Sequence, residues 1–128
     1  MIAVDTSALM AILLDEPEAD SCIAALSGPD DLVISAGTMA EALIVAKARG
    51  LGAQMEQLLD GLGFDVIPVT AASARDIAAI YARWGKGLHP AGLNFGDCFA
   101  YEAAAQHACP LLYVGQDFSR TDLAPALI

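Results

Sequence analysis

The chain has 128 residues, 56% of them apolar, and sets six Lys and Arg against sixteen Asp and Glu for a formal net charge of −10. That length suits one domain that buries roughly two-thirds of its unfolded surface, and the apolar content excludes a disordered chain or one needing a disulfide or structural metal to hold a core. The acidity excludes a non-specific nucleic-acid binder, yet leaves room for a nuclease whose metal ions screen its carboxylates and for a protein held by a basic partner.

In chain order, Ile2–Asp5 reads as a strand and Thr6–Leu14 as a helix, and Pro17 opens a second helix that reaches Leu26. Ser27-Gly28-Pro29-Asp30-Asp31 is a turn cluster. Leu32–Ser35 is the second strand, Gly37–Arg49 a helix ended by Gly50, and Gln54–Leu62 a further helix. Phe64–Val69 is the third strand, after which the Thr70 hydroxyl can cap the helix Ala71–Trp84. Gly85–Asn94 is a Gly- and Pro-rich loop, and Gly96–Ala108 a helix stopped by Pro110. Leu111–Val114 is a fourth strand, with a short C-terminal strand expected near Ala126. Strands alternating with helices predict a single α/β domain over residues 1–128, with a mostly parallel sheet covered on both faces. In such sheets ligands bind beyond the carboxyl ends of the strands, where strand order reverses.

The three cysteines, Cys22, Cys98 and Cys109, form no C-x-x-C pair. On one helix Cys98 and Cys109 would stand about 16 Å apart along the axis, too far to bridge. All three read as reduced packing residues of a cytoplasmic protein. The N-terminus lacks a basic region and Asp5 interrupts its apolar run, so it does not read as a signal peptide. With no apolar stretch of about 18 residues, no membrane span is expected.

Four acidic residues stand in apolar surroundings. Asp5 ends Met1-Ile2-Ala3-Val4; Glu41 lies within Met39-Ala40-Glu41-Ala42-Leu43-Ile44-Val45; Asp97 is flanked by Leu93, Phe95, Cys98 and Phe99; Asp117 follows Leu111-Leu112-Tyr113-Val114. A buried, unpaired carboxylate costs several kcal/mol or protonates, and no Lys or Arg adjoins these four. A divalent cation with oxygen ligands is the simplest way to reconcile them. Each has a bland alternative. Asp5 can be a helix cap, although Ala8 stands where a capping box wants Glu or Gln. Glu41 has Ile44 and Val45 as helical neighbours, with Lys47 and Arg49 pointing elsewhere. Asp97 can cap the helix after Gly96, and lies off the polar stripe Glu102–Gln106. Asp117 can belong to an Asx-turn. His107 suits the helix C-terminus as a dipole partner, and His89 reads as a surface loop residue. No serine-nucleophile constellation, Walker loop or G-x-G-x-x-G occurs.

The stretches Met1-Ile2-Ala3-Val4-Asp5-Thr6-Ser7-Ala8-Leu9, Lys86-Gly87-Leu88-His89-Pro90-Ala91-Gly92-Leu93-Asn94-Phe95-Gly96-Asp97-Cys98 and Leu111-Leu112-Tyr113-Val114-Gly115-Gln116-Asp117-Phe118 resemble the PIN-domain ribonucleases, most closely the VapC-type toxins of bacterial toxin–antitoxin pairs. The resemblance runs from Met1 to about Leu123 and is most specific in its central segment. It implies a PIN-like three-layer α/β/α fold with a parallel sheet of about five strands. It also implies Mg²⁺- or Mn²⁺-dependent endonucleolytic cleavage of RNA. The family's acidic quartet falls on Asp5, Glu41, Asp97 and Asp117, which makes them the expected metal ligands. A small VapB-type antitoxin and a homodimer are the expected partners besides RNA. Many relatives carry a second acidic residue and a Lys near the last acid, where this chain has Gln116 and Val114.

On that footing Thr6 or Ser7 would orient a carboxylate or water through a hydroxyl, and Asn94 would meet a phosphate or base edge. Lys47, Arg49, Lys86 and Arg120 are the cations expected to meet the RNA backbone. Single-stranded or looped RNA is the expected class, with specificity set around Gly85–Asn94. Two rivals stand beside this reading. An aspartyl-phosphate phosphatase of the haloacid-dehalogenase type wants a second Asp two residues after the first, where Ser7 stands. A degenerate PIN domain would bind antitoxin or RNA without cutting.

Overall fold

Strand β1 (Ile2–Val4) sends Ile2 and Val4 into one apolar cluster and Ala3 into another, because successive side chains of a strand face opposite ways. Strand β2 (Leu32–Ser35) does the same with Leu32 and Ile34 against Val33. Both strands are buried throughout, as a central parallel sheet demands. The computed structural model describes residues 1–127. Its remaining elements are helices α1 (Thr6–Leu13), α2 (Ala19–Leu26), α3 (Ala36–Ala48), α4 (Gly52–Leu62), α5 (Ala71–Trp84) and α6 (Phe95–Gln106), strands β3 (Asp65–Ile67) and β4 (Leu111–Leu112), and a 3-10 turn over Phe118–Arg120.

One core holds Ile2, Val4 and Ile34 with residues of α1 to α4, and the other holds Ala3, Val33 and Leu111 with residues of α5 and α6. The result is the expected three-layer α/β/α arrangement. All pairings are parallel and the strand order is β3-β2-β1-β4. The chain therefore winds one way from β1 to β3, then crosses back to lay β4 on the other side of β1. The switch point falls at the carboxyl ends of β1 and β4, where Asp5 and the segment carrying Asp117 begin.

Among the described residues the sheet has four strands rather than about five. The expected strand near Ala126 shrinks to one bridge between Leu111 and Pro125, flanked by bonds from the Leu111 amide to Ala124 (3.0 Å) and from the Ala126 amide to Leu111 (2.9 Å). Strand β4 also stops two residues early, because the Val114 amide turns to the Ser7 hydroxyl (3.0 Å) instead. Helix α3 starts at Ala36, with Ser35 as its cap through the Gly37 amide (3.1 Å). Thr70 caps α5 as expected, accepting from the Ser73 amide at 3.2 Å. Cys22 and Cys98 are buried and all three cysteines are free. Among the described residues no helix is long and apolar enough to cross a membrane.

Candidate active site

Asp5 leaves the sheet directly after β1 and is 4% exposed. It is indeed the cap of α1, its Oδ2 accepting from the Ser7 amide (3.0 Å) and the Ser7 hydroxyl (2.7 Å). Capping occupies only half of the carboxylate: Oδ1 is buried and bonded to nothing. Burial, with a smaller contribution from Glu41, pushes the Asp5 carboxyl up to about 6 against the pull of the Ser7 bonds. The Ser7 hydroxyl also accepts from the Val114 amide at 3.0 Å, and so ties the end of β4 to Asp5.

Glu41 lies on the second turn of α3 and is half-buried. Its Oε1 accepts from the Thr6 hydroxyl at 2.6 Å, so the residue after Asp5 holds the second carboxylate. Ile44 and Val45, whose apolar character marked Glu41 in the sequence, are 68% and 36% exposed. They face solvent, and Glu41 is sheltered instead by Thr6 and the start of α6.

Asp97 is 7% exposed at the third position of α6. Asn94 caps this helix with a reciprocal box: the Asp97 amide donates to Asn94 Oδ1 (2.8 Å) and the Asn94 amide donates to Asp97 Oδ2 (3.0 Å). Asn94 is thus first a cap, its Oδ1 already taken. Burial pushes the Asp97 carboxyl up to about 7; the Asn94 amide opposes this, and the charges of Asp5, Asp117 and Glu41 add to it. Asp117 is exposed, contrary to its apolar context in the sequence. It forms no capping bond and no Asx-turn; the turn there is made by the Gln116 carbonyl, which accepts from the Ser119 hydroxyl at 2.6 Å.

The fold therefore brings all four acids to one place, close enough to perturb Asp97 together. Among the described residues, ion pairs join Met1 to Asp30 and Arg83 to Asp122, and neither touches the four. No three acidic, His or Cys side chains stand at chelating separations among the described residues. The donors are all hard oxygens, as Mg²⁺ and Mn²⁺ require, and one of them is buried without a partner.

The loop from Gly85 to Asn94 is pinned rather than free. The His89 ring packs edge-on to Trp84 (4.7 Å between centroids) while its Nδ1 accepts from the Ala91 amide at 3.0 Å. Arg120 donates to the Pro90 carbonyl at 3.1 Å, so one of the expected RNA-facing cations serves the loop instead. Lys47, Arg49 and Lys86 are exposed. His107 ends α6 with Nδ1 2.9 Å from the Ala103 carbonyl, in the expected helix-terminal role. Sequence reasoning missed a sheltered acid outside the four. Glu102, read as part of a polar stripe, is 3% exposed, and burial and Asp76 raise its pKa. The signal available was Gln106 one turn later, which donates to it at 3.4 Å.

Residues 2–123 match the PIN domain family. The ribonuclease VapC36 of Mycobacterium tuberculosis is 46% identical over 124 residues, 94% of this chain and 89% of its own length. The crystal structure of VapC20 from the same species, described as a sarcin-ricin-loop-cleaving toxin, superposes with a TM-score of 0.79 over 100% of both chains at 16% identity. A toxin–antitoxin complex from Klebsiella pneumoniae gives a TM-score of 0.72 at 20% identity, covering 95% of this chain and 93% of that one. The last two likenesses speak to fold.

Proposed function

The chain belongs to the PIN domain family, and on that premise we propose that it is a VapC-type endoribonuclease, dependent on Mg²⁺ or Mn²⁺ and restrained by a small VapB-type antitoxin. The observation that carries the metal reading is the unpartnered, buried Oδ1 of Asp5 beside Asp97 and Glu41, with no cation of the chain bonded to any of them among the described residues. Asp5, Asp97 and Glu41 would hold the ion, with Asp117 joining from the exposed edge. When bound there, the ion would acidify a water and neutralise charge on the scissile phosphate.

The chain's own residues prepare that site. Ser7 fixes Asp5 so that Oδ1 points away from its bonded edge, and Thr6 fixes Glu41. The reciprocal cap of Asn94 fixes one oxygen of Asp97 and leaves the other free. The side-chain nitrogen of Asn94, on an exposed residue, remains to meet a phosphate or base edge. The sixteen acidic residues and the open carboxylate edge suit a basic antitoxin segment, and the toxin–antitoxin fold neighbour supports that partner.

A second copy of the chain is the other proposed partner. Phe95 (69% exposed) rises between an apolar cleft of about 500 Å³ bordered by Ile77 and Tyr81 and another of about 340 Å³ bordered by Ile44 and Phe99. With Ile44 at 68% exposed beside Phe95, this apolar area resembles an interface more than a free surface.

The test is cleavage of a pool of structured RNAs by purified, antitoxin-free protein, with EDTA, Mg²⁺ or Mn²⁺, beside Asp5→Asn and Asp97→Asn. Metal-dependent cleavage lost in both variants is expected; cleavage that survives either substitution would refute the assignment. The non-catalytic reading, a degenerate PIN domain that only binds, is favoured by Gln116 and by the spread of the carboxylates beyond chelating distance. It requires weak Mn²⁺ binding and no cleavage.

A further inference from the structure

Helix α6 carries a glycine at its second position, directly before Asp97. The backbone there does not call for one, because Gly96 lies outside the left-handed region and alanine favours helix. Space is the reason. A Cβ built on Gly96 would stand 2.6 Å from Cδ of Glu41 and 3.1 Å from Oε1, and nearer still to Oε2. The Glu41 carboxylate lies across bare backbone, where any other residue would put its side chain. Its Oε1 is held from the opposite side by the Thr6 hydroxyl at 2.6 Å. Glu41 is thus clamped between α1 and α6, one residue away from Asp97.

We propose that Gly96 is a positioning residue: its missing side chain is the seat of the Glu41 carboxylate, and so sets where this ligand meets a divalent cation beside Asp5 and Asp97. This rests on the metal reading above. It differs from the role of Gly37, where an added Cβ would strike the ring of Phe99 (2.5 Å to Cγ) and threaten packing. Against Gly96 the obstructed group is the far end of a flexible side chain. Glu41 can swing away at little expense to the fold, but then leaves Thr6 and the site.

The experiment is Mn²⁺ titration of the full chain at about pH 8, followed by the electron paramagnetic resonance of free Mn²⁺, together with thermal melts in EDTA. It uses wild type, Gly96→Ala, Glu41→Ala and the double variant, with Gly61→Ala as a control helix glycine that has open space around it. Gly96→Ala is expected to melt at or above the wild-type temperature and to bind Mn²⁺ at least tenfold more weakly. In the Glu41→Ala background the same change is expected to cost no further affinity, since the ligand it displaces is gone. Unchanged affinity in Gly96→Ala, or equal losses in both backgrounds, would overturn the assignment, the second by pointing to Asp97. A drop in melting temperature that Glu41→Ala does not relieve would make Gly96 a packing residue and overturn it too. A wild-type chain that takes up no Mn²⁺ would instead overturn the metal reading beneath it.

Discussion

Asp5→Asn separates the charge of Asp5 from its hydrogen bonds. With the amide oxygen in place of Oδ2, both bonds from Ser7 survive, and the new NH₂ stands where Oδ1 had no partner. That buried donor costs about 1–3 kcal/mol at every pH. The charge behaves otherwise. Raising the carboxyl from 3.8 to about 6 means that ionising Asp5 in the folded state costs roughly 3 kcal/mol more than in the unfolded chain. A carboxyl raised by folding contributes its stability in acid, below its unfolded value, and loses it as the pH climbs through about 6. Between about pH 4 and pH 8 wild type should therefore lose roughly 2 kcal/mol that Asp5→Asn does not lose. Urea denaturation in EDTA across that range gives the difference directly, and the constant packing cost of the asparagine drops out of the slope. Two curves that stay parallel within about 0.5 kcal/mol would refute the desolvated-carboxylate reasoning. With Mn²⁺ at a hundred times its dissociation constant, wild type should recover about 2.7 kcal/mol and the variant little.

Thr6→Val removes the hydroxyl that holds Glu41, and titration calorimetry should find Mn²⁺ affinity lower by roughly fivefold, while Thr6→Ser stays near wild type. Ser7→Ala strands the Val114 amide and removes one of the two bonds to Asp5 Oδ2, so a loss of about 1–3 kcal/mol is expected in urea denaturation; a loss below about 0.5 kcal/mol would deny the link between β4 and the site. Because Asp97 rises to about 7 and Asp5 to about 6, protons should compete with Mn²⁺. Affinity should then fall steadily as the pH is lowered from about 8 to about 5.5, and a flat profile would remove these two residues from the site. Phe95→Glu or Ile44→Glu should turn a dimer into a monomer in sedimentation and leave a melting temperature that no longer depends on protein concentration; a dimer that persists would place its interface elsewhere.

The elements legible in the sequence were those with local causes. Thr70 announced α5 through its own capping chemistry, and the apolar runs of β1 and β2 announced buried parallel strands. Asp5 and Asp97 stood out because apolar chain neighbours such as Val4, Leu93 and Cys98 became part of the core, although Phe95 did not. That same signal misled at Asp117 and around Glu41. Asp117 lies on an exposed turn beyond the sheet, and Ile44 and Val45 form part of an outer face rather than a core. The clamp on Glu41 was hidden for a different reason: Thr6, Glu41 and Gly96 are brought together only by the crossing of α1, α3 and α6, and no spacing encodes it. The fifth strand reduces to one bridge at Pro125 among the described residues: the apolar residues there signal packing against the core, and nothing local in them specifies backbone pairing.

The bond from the Val114 amide to the Ser7 hydroxyl spans 107 positions of sequence. A chain emerging from the ribosome can pair β1 with β2 early, but one edge of β1 stays open until β4 arrives. Contacts of such long range form late, because the loop must close before anything rewards it. Asp5 thus acquires its braced hydroxyl only once the segment around Val114 has left the exit tunnel, and Asp117 arrives with the same segment. Assembly of the four acids therefore waits for that segment, and a nascent chain that stops short of Val114 carries three of them without the brace that aligns the first.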